Sequence, residues 1–383
     1  MKKRQFIASA VALAMASLMG AAHAAEPIKL AGVLELTGSG ATPGKSFMEG
    51  VELAVKEVNA TGGILGSKLE FETKDTASQG FNARKLTREA VDAGAFAVMG
   101  PVTSGSIMLS QVESKKAEVP NFTGGESALV TKQSNPYIFR TAFGQDFAMP
   151  KVANYMSKEM KLKKVGVVFA NNEYGRNGRD AFSKSFQEKG GAVSFDIGVD
   201  SGEKADYASV VAKAKAADIE ALFVYLNEDE SIGLVNALKK DGFNKPLVGE
   251  TNLTAVPVIE KVGAAMNGAI AHVGITAEAQ NPTMKAFRAK FEKEFKATPD
   301  HNAVKGYTAV YMLKAGIEKA GKIDRKEAAK ALHGMKISAA QYPGVIFDVK
   351  IDNNGDIVER ESFIVEAKNG KQVIKAVLAG SAN

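Results

Sequence analysis

Short apolar runs alternate with amphipathic stretches along most of this chain, and that alternation leaves few folds open. Residues 28–34 form an apolar run rich in Ile, Leu and Val, the composition of a buried strand. Apolar side chains at Phe47, Val51, Leu53, Ala54, Val55 and Val58 follow at helical spacing, predicting a helix over 47–58. The Gly-rich stretch Asn59-Ala-Thr-Gly-Gly-Ile-Leu-Gly66 stops that helix and turns the chain. A strand over 69–73, a helix over 82–93 and a strand over 95–99 come next. Parallel neighbours require a crossover between them, so strand–helix–strand–helix–strand predicts a parallel sheet. A helix over 104–117 and strands over 119–122 and 137–141 extend the pattern.

The rhythm then repeats. Helices are predicted over 149–160, 178–189, 207–216 and 231–241, with strands over 164–170, 192–197, 221–226 and 246–248. Two similar α/β halves in one chain predict two doubly wound lobes with mainly parallel sheets. A ligand cleft then lies between the carboxyl ends of the two sheets. The remainder carries helices over 281–295, 303–320 and 325–332 and strands over 344–351, 357–366 and 372–376. Asp352-Asn-Asn-Gly355 reads as a hairpin turn. These pieces complete the existing lobes rather than build a third. The expected division is residues 26–145 plus 275–345 for the first lobe and 146–274 plus 346–383 for the second.

The first 24 residues read differently. Met1-Lys2-Lys3-Arg4, an apolar run from Phe6 to Gly20 and the small-x-small exit Ala22-His23-Ala24 make a secretory signal peptide, with cleavage expected after Ala24. The run is shorter than the roughly 20 residues that span a bilayer. Export, here to the periplasm, separates the mature chain from ATP, NADH and cytosolic nucleic acid. The net charge of +6 includes Lys2, Lys3 and Arg4, so +3 remains after cleavage. Basic residues are interspersed with acids, which argues against a nucleic-acid partner.

No cysteine is present, which rules out disulfides and thiolate chemistry. His272, His301 and His333 show no metal-ligand spacing, and no nucleophile elbow or H-E-x-x-H pattern occurs. The chain is therefore expected to bind rather than catalyse, with no cofactor and no metal.

Gly38-Ser-Gly40-Ala-Thr-Pro43-Gly44 has the wrong spacing for a dinucleotide loop, and Pro43 falls in its tight part. Gly100-Pro-Val-Thr103-Ser104-Gly-Ser106 follows a strand and opens a helix. Free amides and hydroxyls there make either a carboxylate site or a plain helix cap. Tyr174 occupies the matching place in the second half, in Asn172-Glu-Tyr174-Gly175, where its ring could close over a ligand. Glu228 and Asp229, after the strand over 221–226, and Glu250, after the next, are acids that could meet a ligand ammonium or simply be solvated.

Read in order, these landmarks resemble the leucine/isoleucine/valine-binding family of periplasmic solute-binding proteins. The resemblance is carried by Ile28-Lys-Leu-Ala-Gly-Val33, Glu49-Gly50, Asn59-Ala-Thr-Gly-Gly-Ile64, Gly100-Pro101 with Ser104, and Asn135-Pro-Tyr-Ile-Phe-Arg140-Thr141. It continues through Tyr174-Gly175, Asp206-Tyr207, Lys305-Gly-Tyr307-Thr-Ala-Val310 and Phe347-Asp348, covering nearly all of the mature chain. It implies two type I lobes joined by three crossovers, capture of a small molecule by lobe closure, and delivery to the permease of an ABC importer by a monomer. It also implies that Ser104 holds a ligand carboxylate, beside the Thr103 hydroxyl that the helix start already offers. The loop Gly124, Gly125, Glu126 and Ser127 helps hold the amino acid, and Tyr174 faces it. Glu126 departs from the family pattern. The family's amine-binding acid falls literally on Thr251, one residue past Glu250, and Pro43 replaces an aromatic residue. The expected ligand is a branched-chain or similar hydrophobic amino acid. The alternatives are an aromatic or other organic acid or an amide, a sensory binding protein, or an exported α/β enzyme.

Overall fold

Residues 26–380 are described, in a computed structural model. The leader assigned to residues 1–24 and its cleavage point lie outside the described residues. The first round of the pattern gives β1 (Ile28–Leu34), α1 (Ala41–Ala60), β2 (Leu69–Asp75), α2 (Gly80–Asp92), β3 (Ala97–Met99), α3 (Ser104–Ala117), β4 (Asn121–Thr123) and β5 (Ile138–Arg140). These strands form one parallel sheet in the order β2-β1-β3-β4-β5.

The second round gives α4 (Gln145–Lys158), β6 (Lys164–Ala170), α5 (Glu173–Glu188), β7 (Ala192–Val199), α6 (Tyr207–Ala216), β8 (Ala221–Tyr225), α7 (Glu228–Lys240), β9 (Leu247–Glu250), α8 (Val256–Val262) and β10 (Ile270–Val273). Their order, β7-β6-β8-β9-β10, repeats that of the first sheet. After it come α9 (Pro282–Phe295), α10 (His301–Ala320), α11 (Arg325–Leu332), β11 (Lys336–Ile337), β12 (Val349–Ile351), β13 (Ile357–Val358), β14 (Ser362–Lys368) and β15 (Lys371–Leu378). β14 adds antiparallel to β10 and β15 antiparallel to β14, while β11–β13 form a small antiparallel sheet turned by Gly355 at φ +80°. The fold is therefore the two-lobed, mainly parallel α/β arrangement the alternation predicts.

Each lobe has its own core. Phe47, Phe122, Phe139, Phe287 and Phe291 anchor the first, and Phe182, Phe186, Phe223 and Tyr225 the second. Val349, Ile351 and Ile357 pack into the first core. We propose that residues 346–358 belong to the first lobe, so that the last passage between lobes falls after residue 358 rather than after 345.

Arg360 sits where the passages meet. Its guanidinium donates to the Gly274 carbonyl (3.0 Å) and lies over the rings of Phe143 and Phe347 (5.5 and 5.6 Å). A β-carbon on Gly274 would come 2.2 Å from that of Phe143, so the segments after β5 and β10 touch there.

Differences from the sequence reading concentrate at helix starts. α1 begins at Ala41, and Pro43 lies in its first turn, where its missing N–H costs nothing. It is not in a tight loop as the sequence reading has it. Gly44 lets this helix start against β1, since a β-carbon there would lie 1.9 Å from the Glu35 carbonyl oxygen. Starts at 173 and 228 rather than 178 and 231 place Tyr174, Glu228 and Asp229 in first helical turns instead of loops. Asn172 caps α5 by accepting from Gly175 N–H (3.0 Å). The strand expected over 344–351 is a turn followed by β12, and the one over 357–366 breaks at Glu359, which has φ 54°. β10 and α8 were not anticipated: one is four residues long with a buried histidine, and the other carries a proline.

Candidate ligand cleft

In doubly wound sheets the loops at the carboxyl ends diverge where strand order reverses, leaving a crevice. That point lies between β1 and β3 in the first lobe and between β6 and β8 in the second. A cleft of about 420 Å³ opens there, lined from both sides. Thr103, Ser104, Ser106, Gly124, Glu126, His301, Asn302 and Lys305 line one wall. Tyr174, Glu228, Asp229, Asn172, Asn227 and Asn252 line the other.

The start of α3 is partly occupied by the protein itself. Glu35, fully buried just beyond β1, accepts from the N–H groups of Val102 (3.0 Å) and Thr103 (3.2 Å) and from the Thr103 hydroxyl (2.6 Å). Burial pushes its carboxyl above the usual range, against the pull of those donors. The amides left free are therefore those of the following turn, where residues 104–106 precede the first intrahelical bond, Ile107 N–H to Thr103 carbonyl. Ser104 Oγ accepts from Ser127 N–H (3.2 Å), which leaves its proton for the cleft. Sequence reasoning missed Glu35; its one signal is an acid placed directly after a buried strand.

The loop after β4 is held from below. Arg140, 1% exposed, donates to the carbonyls of Ser127 (2.8 Å) and Gly125 (3.4 Å), to the Thr131 hydroxyl (2.9 Å) and to Asp356 (2.9 Å). Gly125 lies against α3, where a β-carbon would come 2.4 Å from the Ile107 side chain. Gly124 and Glu126 reach the cleft, while Gly125 and Ser127 shape it from behind. The Ser127 hydroxyl accepts from Asn177 of α5 (3.0 Å), a contact between the lobes.

Of the acids considered, each has a different environment. Glu126 pairs with Lys305 (2.9 Å) in a buried bridge, and burial still pushes its carboxyl up to about 7. Glu250 does not line the cleft. It turns back to accept from Thr251 N–H (2.6 Å) and hydroxyl (2.9 Å), with His272 Nδ1 3.1 Å away, and burial raises it to about 7. Burial lowers His272 to about 3, so it is neutral. Asp229 is exposed and 3.8 Å from Lys261.

Glu228 is the exception. It is 5% exposed and lines the cleft, and neither carboxylate oxygen has a hydrogen-bond partner among the described residues. Burial first, then repulsion from Asp300, raises its carboxyl to about 8. Asp300 and His301, at the start of α10, come close enough that one donor or acceptor atom from each of the three lies within 4.8 Å of the others. Spacing in the sequence could not reveal this group, because its members come from opposite lobes.

Tyr174 stacks on Tyr225 at 4.3 Å, and its hydroxyl accepts from Asn252 (3.2 Å). Gln145 supports it, donating to the Tyr174 carbonyl (2.9 Å) and the Tyr225 hydroxyl (2.8 Å).

A family profile described as periplasmic binding protein matches residues 27–372. The chain belongs to that family. As a periplasmic binding protein it is 32% identical to a Leu/Ile/Val-binding protein homolog of Brucella melitensis, over 94% of this chain and 97% of that one. A branched-chain amino acid transporter substrate-binding protein of Streptococcus pneumoniae, solved with isoleucine, matches with a TM-score of 0.82 and 25% identity, over 92% of this chain and 99% of that one. An ABC-transporter solute-binding protein of Rhodopseudomonas palustris, solved with 3,4-dihydroxybenzoic acid, matches with a TM-score of 0.84 and 23% identity, over 93% and 98% of the two chains. The fold thus occurs with both ligand types. No helix among the described residues is long and apolar enough to cross a membrane.

Proposed function

We propose that this binding protein captures an amino acid between its lobes in the periplasm, acting as a monomer, and hands it to the permease of an ABC importer. The observation that carries the amino-acid reading is Glu228: a desolvated carboxyl with no partner among the described residues, facing a cleft whose other wall holds the free amides and Ser104 hydroxyl of α3. A zwitterion satisfies both walls, its carboxylate on α3 and its ammonium on Glu228. The ionisable lining supports this over a bare organic acid. Lys305 offsets Glu126, whereas a bare organic acid brings no cation to Glu228 and leaves that buried carboxyl, raised to about 8, without a partner among the described residues. Tyr174, Val102 and Leu109 offer the apolar surface for a branched-chain or related side chain. The work is binding and closure, with no bond made or broken.

A thermal-shift screen of L-amino acids beside benzoates tests the reading, because a ligand bound only by the native state raises its melting temperature. An amino acid is expected to give the largest shift; a benzoate giving it contradicts the proposal. Ser104→Ala is expected to weaken that amino acid by roughly 1–2 kcal/mol in titration calorimetry, the size of a hydrogen bond to a charged group. Melting without ligand should also fall, because the buried Ser127 N–H loses its acceptor. Small-angle scattering is expected to show a smaller radius of gyration with saturating ligand, and an unchanged curve would remove lobe closure from the account.

A further inference from the structure

We infer that the face of β10 and β14 covered by Phe143 is a site for a small monovalent anion such as chloride, held by Arg360 and Ser362 with His272 beside them. It lies where the chain passes between the lobes, apart from the ligand cleft, and does not depend on what that cleft binds.

Arg360 is 5% exposed. Among the described residues its guanidinium makes one hydrogen bond, donated by Nη2 to the Gly274 carbonyl (3.0 Å), and Nε has no partner. The acid that acts on it, Glu361, is its neighbour in the chain and forms no ion pair with it. Burial pushes the guanidinium down to about 10, which leaves it charged at neutral pH. The rings of Phe143 and Phe347, 5.5 and 5.6 Å away, offer the cation their faces but no counter-charge. A charge taken out of water without a counter-charge is strongly disfavoured, so an anion against this guanidinium stabilises the native state.

Two more polar atoms stand on the same face. β10 and β14 run antiparallel with His272 opposite Ile364 and Val273 opposite Phe363, so Gly274 stands opposite Ser362. Alternation puts Ala271, Val273, Phe363 and Val365 on one face, in the first core, and His272, Gly274, Ser362 and Ile364 on the other. Phe143 covers that second face: its ring is 5.5 Å from the His272 ring, and its β-carbon fills the space beside Gly274. The guanidinium, over the Phe143 ring and bonded to Gly274, therefore reaches the Ser362 position. Ser362 Oγ and His272 Nε2 are buried and, like Arg360 Nε, have no hydrogen-bond partner among the described residues. His272 is neutral, and with its proton on Nε2 its Nδ1 accepts from the Glu250 carboxyl 3.1 Å away, which burial raises to about 7. All three unpartnered atoms are then donors. Lys151 of α4 adds to the positive field, since it and Arg360 both push His272 down. A water here would supply an acceptor but no charge, whereas a compact anion supplies both.

The test uses the full-length mature protein and Arg360→Met and Ser362→Ala variants. Melting is followed in sodium chloride, bromide and gluconate at matched ionic strength, and crystals soaked in sodium bromide are measured for anomalous scattering. The wild type is expected to melt at least about 2 °C higher in chloride or bromide than in gluconate, because an ion bound only by the native state stabilises it. Arg360→Met should melt alike in all three salts. Ser362→Ala keeps the guanidinium and should need at least about 3-fold more chloride for half the shift, the loss of one hydrogen bond. If Arg360→Met does not fold, Ser362→Ala carries the comparison. A bromide peak is expected beside Arg360 and Ser362. Equal melting of the wild type in chloride and gluconate overturns the inference; a bromide peak without that shift is an adventitious ion only and overturns it as well. A chloride shift kept in full by the variants arises elsewhere on the protein and removes the site. So does an ordered water standing where bromide is expected.

Discussion

Arg140→Met is expected to lower the stability of the ligand-free protein by roughly 3–5 kcal/mol, the range for breaking a buried ion pair from one side. The side chain carries four hydrogen bonds from a position almost without solvent. Its loss strands Asp356, whose carboxyl burial already pushes up and Arg140 pulls down, and frees the Ser127 and Gly125 carbonyls. Without the guanidinium, the Asp356 value rises further above its unfolded one. A raised folded value favours the protonated form, so the deficit should be smaller at pH 5 than at pH 8. Adding Asp356→Asn should recover part of it, because the remaining carbonyls stay unpaired. Urea unfolding at the two pH values measures this; a deficit under about 1 kcal/mol at pH 8 would mean the pair is not holding the 124–127 loop.

Lys305→Met is the second large effect. Lys305 neutralises Glu126 in a bridge that is nearly dry on both sides. Glu126 sits at about 7 with its partner present, so losing Lys305 moves it higher still. Below pH 6 the acid is already protonated and the substitution should be mild. Above pH 8 the folded state must keep a proton that the unfolded state releases, and the cost should approach roughly 3–5 kcal/mol. Glu126→Gln in the same chain should flatten that pH dependence. Melting curves of both variants from pH 5.5 to 8.5 check it; a deficit independent of pH would place the lysine's contribution in packing alone.

The architecture was legible because alternation reports directly on burial. The run at residues 28–34 is buried on almost every residue, as its composition demands, and α3 spans Ser104–Ala117, starting at the serine that opens it. The helix starts were harder. Asn172 and Asn227 stand at the N-cap positions before polar first turns, Asn172 alone capping with its side chain, and periodicity sees a helix only once apolar residues recur. That delay shifted Tyr174 and Glu228 from helices to loops.

The cleft was legible only in part. Thr103, Ser104, Gly124, Glu126, Tyr174 and Glu228 were candidates and line it, whereas Gly125, Ser127 and Glu250 lie behind it. Glu250 looked suited to meet an ammonium from its place at a strand end. Nothing in the order of residues shows that its carboxylate folds back on Thr251. Lys305 and His301 stayed out of the candidate site because they enter from a helix far along the chain, and only the packing of α10 on α1 brings them to it. Such long-range partners leave no local pattern.

The central claim is that the ligand is a zwitterion held at both ends, and one comparison tests it most directly. Titrating the mature protein in parallel with L-leucine and with 4-methylpentanoate, which differs only in lacking the amine, isolates the contribution of the ammonium. The account predicts measurable binding of leucine and at least 10-fold weaker binding of the des-amino acid. A protein that binds 4-methylpentanoate as well as or better than leucine would contradict it and make this an organic-acid binder.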